Sequence, residues 1–377
     1  MRWLIPAAAA AVVIGGGAAA GTIVASADPS LPERSAAQLL VDVQNAKVDG
    51  LSGTVVQRAD LGLPAISGLS ASGGADLMKL VTGNNTARVW YAGENQARVA
   101  LMTTLGETDF IRNGTDVWVW RSTENSATHV KLPAGAAASG HRGAAPSELP
   151  STPQDAADMA LAAIDPTTAV TTSGAARVAG RSAYELILAP RDTASLVGQV
   201  RLAIDAKQHV PLRVEVYAKN ANNAAFSVAF DQVSFATPDA QQFTFNPPPG
   251  AKVSDLGGQN AAKGDKADAV KKAKAKAEAE AARIKADTKG VAGPSVDGKG
   301  WTSVLVTKLP AGENADLRKA GGPAATVVNG LPKVSGAWGS GRLLTTNLFS
   351  ALLTDDGRLL AGAVAPERLY EVAKAGK

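Results

Sequence analysis

Between Gly180 and Val253 the chain reads as a β-meander, and a meander of this length restricts it to an extended antiparallel sheet. Ala183-Tyr184-Glu185-Leu186-Ile187-Leu188, Val200–Ile204, Leu212–Tyr217 and Phe226–Phe230 are short runs rich in β-branched and aromatic residues, separated by turn formers. Ile204 leads into the polar turn Asp205-Ala206-Lys207-Gln208-His209, after which Val210-Pro211-Leu212-Arg213 starts the next strand. The run closes on Phe245-Asn246-Pro247-Pro248-Pro249-Gly250-Ala251-Lys252-Val253. Upstream, Leu51–Gln57, Thr86–Tyr91 and Ala97–Met102 carry the same signal, with Arg177-Val178 as a shorter candidate. Glu107–Arg112 and Asp116–Arg121 flank Asn113-Gly114, the dipeptide that best fits a tight hairpin turn. Consecutive hairpins argue for a single, strongly curved antiparallel sheet.

Two helices interrupt these strands. Ser35 is placed to cap a helix over Ala36–Gln44, whose Leu39, Leu40 and Val43 make one apolar face. Pro153 to Ile164 forms a second, with proline in its first turn, after an Ala/Gly/Ser/Pro-rich loop from Ala134 to Ser151.

The N-terminus begins Met1-Arg2-Trp3, runs apolar to about Ala25, and reads Ala25-Ser26-Ala27 before Asp28-Pro29. A basic start, an apolar run and an A-x-A site define a secretory signal peptide over residues 1–27, cut after Ala27. The same stretch has the length of a membrane anchor, so two outcomes stand, and both place the mature chain outside the cytoplasm. The chain has no cysteine, which excludes disulfides, thiolate metal sites and a lipobox. The net charge of +4 is local: Ala261 to Lys289 holds nine Lys or Arg and five Asp or Glu, and the remainder balances. No folded basic face is required, so nucleic acid is not an expected partner. Residues 256–298 form a Lys/Ala/Glu tract of strong helix formers, expected to be a helical spacer. A basic strip lying on anionic lipid is the other reading. Residues 299–377 then make a small α+β unit: a strand at Thr302–Thr307, a strand-turn-strand over Leu348–Val364, and a closing helix begun by Pro366.

Chemistry is absent from the pattern. Of the three histidines, His141 falls in the loop, His209 in the turn before Pro211, and His129 has no acidic neighbour in an evident pairing; all read as surface or turn residues. No nucleophile elbow, zincin helix or phosphate loop occurs. Asp355-Asp356-Gly357 reads as a hairpin turn, not a cation site. The chain is expected to be no enzyme and to hold no cofactor or metal. What remains is apolar. Trp118 and Trp120 share a strand face, as do Phe226, Val228 and Phe230. With Trp90 and Leu101 these are the candidate wall of an acyl-chain cavity; core packing is the competing reading for each.

Three pieces, Leu51-Ser52-Gly53-Thr54-Val55-Val56, Asp205…Pro211-Leu212-Arg213 and the Phe245–Val253 ending, together resemble the LolA/RseB group of envelope proteins, across residues 35–255. The resemblance implies an α+β fold: an incomplete antiparallel β-barrel, lidded by helices, that holds acyl chains, followed here by a small C-terminal α+β domain. It implies lipid or lipoprotein acyl chains as ligand, with a carrier-like role. The two-part layout is similar to RseB-like proteins, which implies the alternative of a regulatory sensor whose C-terminal domain meets a membrane partner such as an anti-sigma factor. No lid-gating residue can be placed by this resemblance.

Overall fold

A computed structural model describes residues 31–63, 83–103, 106–132, 166–255, 294–309 and 323–376. The signal segment, the helix expected at 153–164 and the tract 256–293 lie outside the described residues. Helix α1 (Ala36–Asn45) begins as the sequence predicts. Ser35 accepts from the Gln38 amide and the Gln38 side chain accepts from the Ser35 amide, a reciprocal capping box.

Twelve strands follow in one sheet: β1 (Leu51–Ala59), β2 (Asn84–Tyr91), β3 (Gln96–Met102), β4 (Glu107–Asn113), β5 (Asp116–Arg121), β6 (Ser126–Lys131), β7 (Thr168–Val178), β8 (Arg181–Pro190), β9 (Val197–Asp205), β10 (Pro211–Ala218), β11 (Ala224–Ser234) and β12 (Lys252–Asp255). The spatial order is β12-β6-β5-β4-β3-β2-β1-β11-β10-β9-β8-β7. Two meanders, β2–β6 and β7–β11, are therefore joined by β1, which lies between β2 and β11. The end strands β12 and β7 do not pair with each other, so the sheet is open. All pairings are antiparallel except β12 with β6, where Lys252–Asp255 runs parallel to Ser126–His129.

The Asn113-Gly114 hairpin forms as expected, with Gly114 at φ +63° and Phe110 opposite Val119. Three strands of this sheet, β6, β7 and β12, are not legible in full from the sequence. β6 follows a short 3-10 turn at Ser122–Glu124, where Asn125 takes a left-handed conformation. β7 runs for 11 residues where only Arg177-Val178 was expected. Most of its middle faces solvent, so its Thr, Ser, Ala and Gly carry no hydrophobic alternation.

The seam between β1 and β11 is tight. A Cβ on Gly53 would lie 2.3 Å from the Gln232 carbonyl oxygen and 2.6 Å from the Phe230 ring, and the register shifts between Thr54 and Val55. Any side chain here must push β11 away from β1.

The Asp205 turn explains its own sequence. The Asp205 carboxylate accepts from the Lys207 amide at 2.9 Å and the Gln208 amide at 2.7 Å, while Arg181 pairs with both oxygens. His209 sits at φ +55° and donates its amide to the Asp205 carbonyl at 3.0 Å. One 1 %-exposed carboxylate thus fixes the β9–β10 turn and ties it to the start of β8.

A second, six-stranded sheet has the order β13 (Ser295–Asp297), β14 (Val304–Lys308), β18 (Arg358–Gly362), β17 (Ser350–Thr354), β16 (Gly339–Thr345), β15 (Lys333–Gly336). Helix α2 (Pro323–Gly330) precedes β15, and α3 (Pro366–Lys374) starts with Pro366 in its first turn. Leu369, Val372 and Ala373 of α3 pack on Val304, Val306, Leu352 and Leu360. Asp355-Asp356-Gly357 turns β17 into β18 with Gly357 at φ +89°. Among the described residues no group of three or more His, Cys, Asp or Glu could hold a metal ion.

Among the described residues the two sheets touch at two places. At the β8–β9 connection, Ser195 bridges Val364, the Leu196 amide donates to the Ala363 carbonyl at 2.8 Å, and Trp301 Nε1 donates to Thr168 Oγ1 at 2.8 Å. Just past the end of β1, the Asn347 amide donates to the Leu61 carbonyl at 2.7 Å.

Two substitutions test these local arguments by urea unfolding. Gly53→Ala is expected to lower stability by about 2 kcal/mol, the usual scale of overpacking. Asp205→Ala, which strands Arg181 and frees two turn amides, is expected to cost about 2–4 kcal/mol, discounted for the partly exposed guanidinium. Loss below about 0.5 kcal/mol at either position would refute the role given to it.

Candidate functional site: an apolar sheet face

Strand alternation divides the large sheet into two faces, and the pairing register carries that division from strand to strand. One row reads Gly53–Val89–Val99–Phe110–Val119 across β1 to β5, with Val55–Ala87–Leu101 beside it. Across β11 the same face continues through Phe230, Val228 and Phe226, then Val214, Val216, Leu202, Val200, Leu186 and Leu188. Helix α1 lies on this face, burying Leu39 and Val43 against Tyr184, Leu186, Leu188 and Leu202. It is the helix face.

The opposite row reads Ser52–Trp90–Arg98–Ile111–Trp118–His129, with Asp109 and Trp120 beside it. The segment after β11 crosses this side as a strap. Its 3-10 turn at Ala240–Phe243 buries Phe243, and Phe245 follows with its ring 5.3 Å from Trp118 and 6.0 Å from Trp120. The strap then ends in β12 on β6.

The seven candidate wall residues therefore fall on two faces. Leu101, Phe226, Val228 and Phe230 share the helix face; Trp90, Trp118 and Trp120 share the strap face. The first four do not share a state of exposure. Phe226, Val228 and Phe230 are buried in the core with Leu51, Val55, Val89 and Tyr91, whereas Leu101 is half-buried at its margin. Trp90 carries the Arg98 guanidinium over its ring at 5.3 Å. Trp118 stacks on His129 at 4.3 Å, and Phe245 lies tilted against it. The expectation that His129 lacks acidic neighbours is corrected: its Nε2 lies 2.9 Å from Asp116 and its Nδ1 3.5 Å from Asp255. The β5–β6 and β6–β12 pairings make those contacts, and neither strand pairing is visible in local sequence.

The two faces differ in chemistry. On the strap face an open cleft of about 580 Å³ is lined by Arg98, Met102, Glu107, Asp109, Trp120 and Phe245. Arg98 pairs with Asp109 on its floor, and one oxygen of Asp109 is buried without a hydrogen-bond partner. Burial, then the neighbouring Asp109 carboxylate, pushes the Glu107 carboxyl above its ordinary range. Covering such ionised groups with hydrocarbon carries a desolvation cost, so this cleft is a poor acyl-chain site. On the helix face the apolar row runs past the covered core: Val99, Leu101, Val117 and Val119 are half-buried, and Phe110 is 44 % exposed. Phe110, Val99 and Val119 were missed by reading strands singly. The register through Asn113-Gly114 is the signal that places Phe110 beside Val119.

Residues 82–242 match the MucB/RseB N-terminal domain family. That segment runs from β2 through the strap's 3-10 turn, and the likeness of the chain to the LolA/RseB group is shown by it. The MucB/RseB and LolA-like families are non-enzymatic binding proteins of the cell envelope. Among solved structures, the complex of MucA and MucB from Pseudomonas aeruginosa aligns at 14 % identity and a TM-score of 0.42, covering 90 % of this chain and 96 % of that one. An uncharacterised conserved protein from Thermus thermophilus aligns at 12 % identity and a TM-score of 0.32, covering 59 % and 99 %. A LolA superfamily protein from Nitrosomonas europaea aligns at 12 % identity and a TM-score of 0.22, covering 56 % and 99 %. No curated protein matches the chain.

The strap contacts predict separable effects. Phe243→Ala removes a buried anchor and is expected to cost about 3 kcal/mol in urea unfolding. Phe245→Ala is expected to cost less and to shift tryptophan emission to the red by wetting Trp118 and Trp120. Unchanged emission would show that the strap does not shield those rings.

Proposed function

We propose that the chain is an extracytoplasmic envelope protein that binds a lipid, or the acyl chains of a lipoprotein, on the helix face of the large sheet. The observation carrying this reading is the apolar row Val99–Phe110–Val119, with Leu101 beside it, which continues the core beyond the cover of α1 and leaves a bulky phenylalanine 44 % exposed. Acyl-chain sites are apolar with few polar groups, and this row meets that description where the strap face does not. The group resemblance supports a carrier-like role, a helix-lidded incomplete barrel over residues 35–255, and a C-terminal α+β unit at 299–377. On this reading residues 1–27 export or anchor the chain, and the tract from 256 spaces the two units; its expected end at 298 is corrected, because Ser295–Asp297 is already a strand of the second sheet.

The alternative is a regulatory sensor of the RseB type, with a membrane anti-sigma factor or another envelope protein as partner of the C-terminal domain. The MucB/RseB family match and the second sheet favour it. Both readings use the same apolar face, as a carrier's cargo site or as a sensor's ligand site.

Phe110→Asp and Leu101→Asp place a carboxylate on the exposed margin of the row, where the fold is expected to tolerate it. Each should weaken binding of a fluorescent fatty acid, 11-(dansylamino)undecanoic acid, by about tenfold or more. Val296→Asp, on the second sheet, should leave binding unchanged. Folded Asp variants, verified by near-ultraviolet circular dichroism, that bind as the parent does would remove this face as the site. Native mass spectrometry of protein purified without detergent would identify any acyl species carried.

A further inference from the structure

The β16–β17 connection of the second sheet carries Thr346, Asn347, Leu348 and Phe349 onto the helix face of the first. Leu348 packs against both apolar clusters of that face: the one around Phe226, Val228 and Phe230, and the one beneath α1. Phe349 packs on the first of these. The tip therefore occupies apolar ground contiguous with the row proposed to hold an acyl chain.

Its construction is that of a preformed plug. The Thr346 hydroxyl accepts from the Leu348 amide at 3.2 Å and the Phe349 amide at 2.9 Å, and it donates to the Phe349 carbonyl at 2.8 Å. The Thr346 amide also donates to that carbonyl, at 2.9 Å. These bonds are internal, so the loop keeps its shape whether or not it is docked. Among the described residues its polar attachment to the first sheet comes from one residue. Asn347 donates its amide to Leu61 O at 2.7 Å and its side-chain amide to Asp60 O at 3.2 Å, across a turn where Gly62 takes φ +62°. A Cβ on Gly62 would lie 2.6 Å from the Asn347 side chain, so the approach needs glycine there. The other junction is of a different kind: Ser195 and Val364 are both buried, and strand-like bonds hold them. One contact is thus a buried strand-like bridge at the β8–β9 connection, and the other a self-contained tip set on an apolar surface.

We propose that the Thr346–Phe349 tip is a reversible latch, which an acyl chain entering the helix face displaces, with the Ser195–Val364 junction as the hinge. This rests on the reading of that face as the acyl-chain site. It gives the site a means of reporting its occupancy, because displacing the tip swings the second sheet. Ligand affinity is then lowered by the fraction of molecules latched, and weakening the latch must raise it.

The test uses the full chain, whose lack of cysteine allows two to be introduced for spin labels, Lys207→Cys on the first sheet and Lys374→Cys on the second. Binding of 11-(dansylamino)undecanoic acid and the label separation are measured for the parent and for Leu348→Ser. Support would be tighter probe binding by Leu348→Ser, by about tenfold, with a label separation that the probe widens in the parent. A parent that binds the probe while Leu348→Ser binds no tighter, and no change in separation, would overturn the latch and leave the lipid site standing. Weaker binding by Leu348→Ser would also overturn it, making Leu348 part of the ligand's wall. No binding by either protein would overturn the lipid site, and the latch with it.

Discussion

The ladder between β1 and β11 is the contact on which the rest of the molecule depends. Each half of the large sheet is a meander whose neighbours in space are neighbours in sequence, and either can form from local hairpins. β1 pairs on one side with β2 and on the other with β11, roughly 175 residues away by the Ser52–Ser234 and Ala59–Phe226 pairs. Only this pairing makes one sheet of two, and only it aligns the apolar rows of both halves on a common face. The cost of closing so long a loop grows slowly with its length. It is offset where Phe230 settles over Gly53, which has no side chain to exclude it.

With that face established, the distribution of polar groups follows. On the helix face the covers are themselves apolar: α1 through Leu39 and Val43, the 61–63 segment through Leu61 and Leu63, and the β16–β17 tip through Leu348. On the strap face the sheet carries charges that are paired in place. Glu185 takes hydrogen bonds from Ser173 at 2.6 Å and Arg213 at 3.0 Å, and Asp109 holds Arg98 beneath the strap. Replacing one member of such a pair leaves the other buried and uncompensated, which costs more than the pair contributes. The buried ion pairs of the large sheet thus lie on the strap side, while the helix face carries Arg112 and Arg121 at the end of its apolar row. The same separation explains why the aromatic pair Trp118 and Trp120 is structural here: it receives Phe245 and seats the strap.

Sequence reading recovered what is local. The capping box at Ser35, the Asn113-Gly114 hairpin, the Asp205 turn, the Asp355-Asp356-Gly357 turn and the helix begun by Pro366 all rest on contacts within a few residues. Within each strand it also grouped side chains correctly, Trp118 with Trp120, and Phe226 with Val228 and Phe230. It could not say that these groups lie on opposite faces. Side-chain period fixes faces relative to one strand, and only the register through β1, with its irregularity between Thr54 and Val55, relates β5 to β11. The same limit hid β6 and its parallel partner β12, and with them the acidic neighbours of His129.

A site at the margin of a core obeys a different rule from one inside it. Phe230 is fully buried beneath the β1–β11 seam, so altering it would report on folding before it reported on a ligand. Phe110 lies on the same face three strands beyond β1, where the cover ends and an apolar surface remains in water. Leaving that side chain 44 % exposed forgoes under half of the roughly 1.5–3 kcal/mol that full burial of a phenylalanine contributes. An acyl chain laid along the row would recover part of this, and so would a cover supplied by the protein itself. The Leu348 tip already does so for the neighbouring stretch. Ligand and tip therefore draw on one continuous apolar surface, and the arrangement of the second sheet is coupled to whether that surface is occupied by the chain's own residues or by another molecule's.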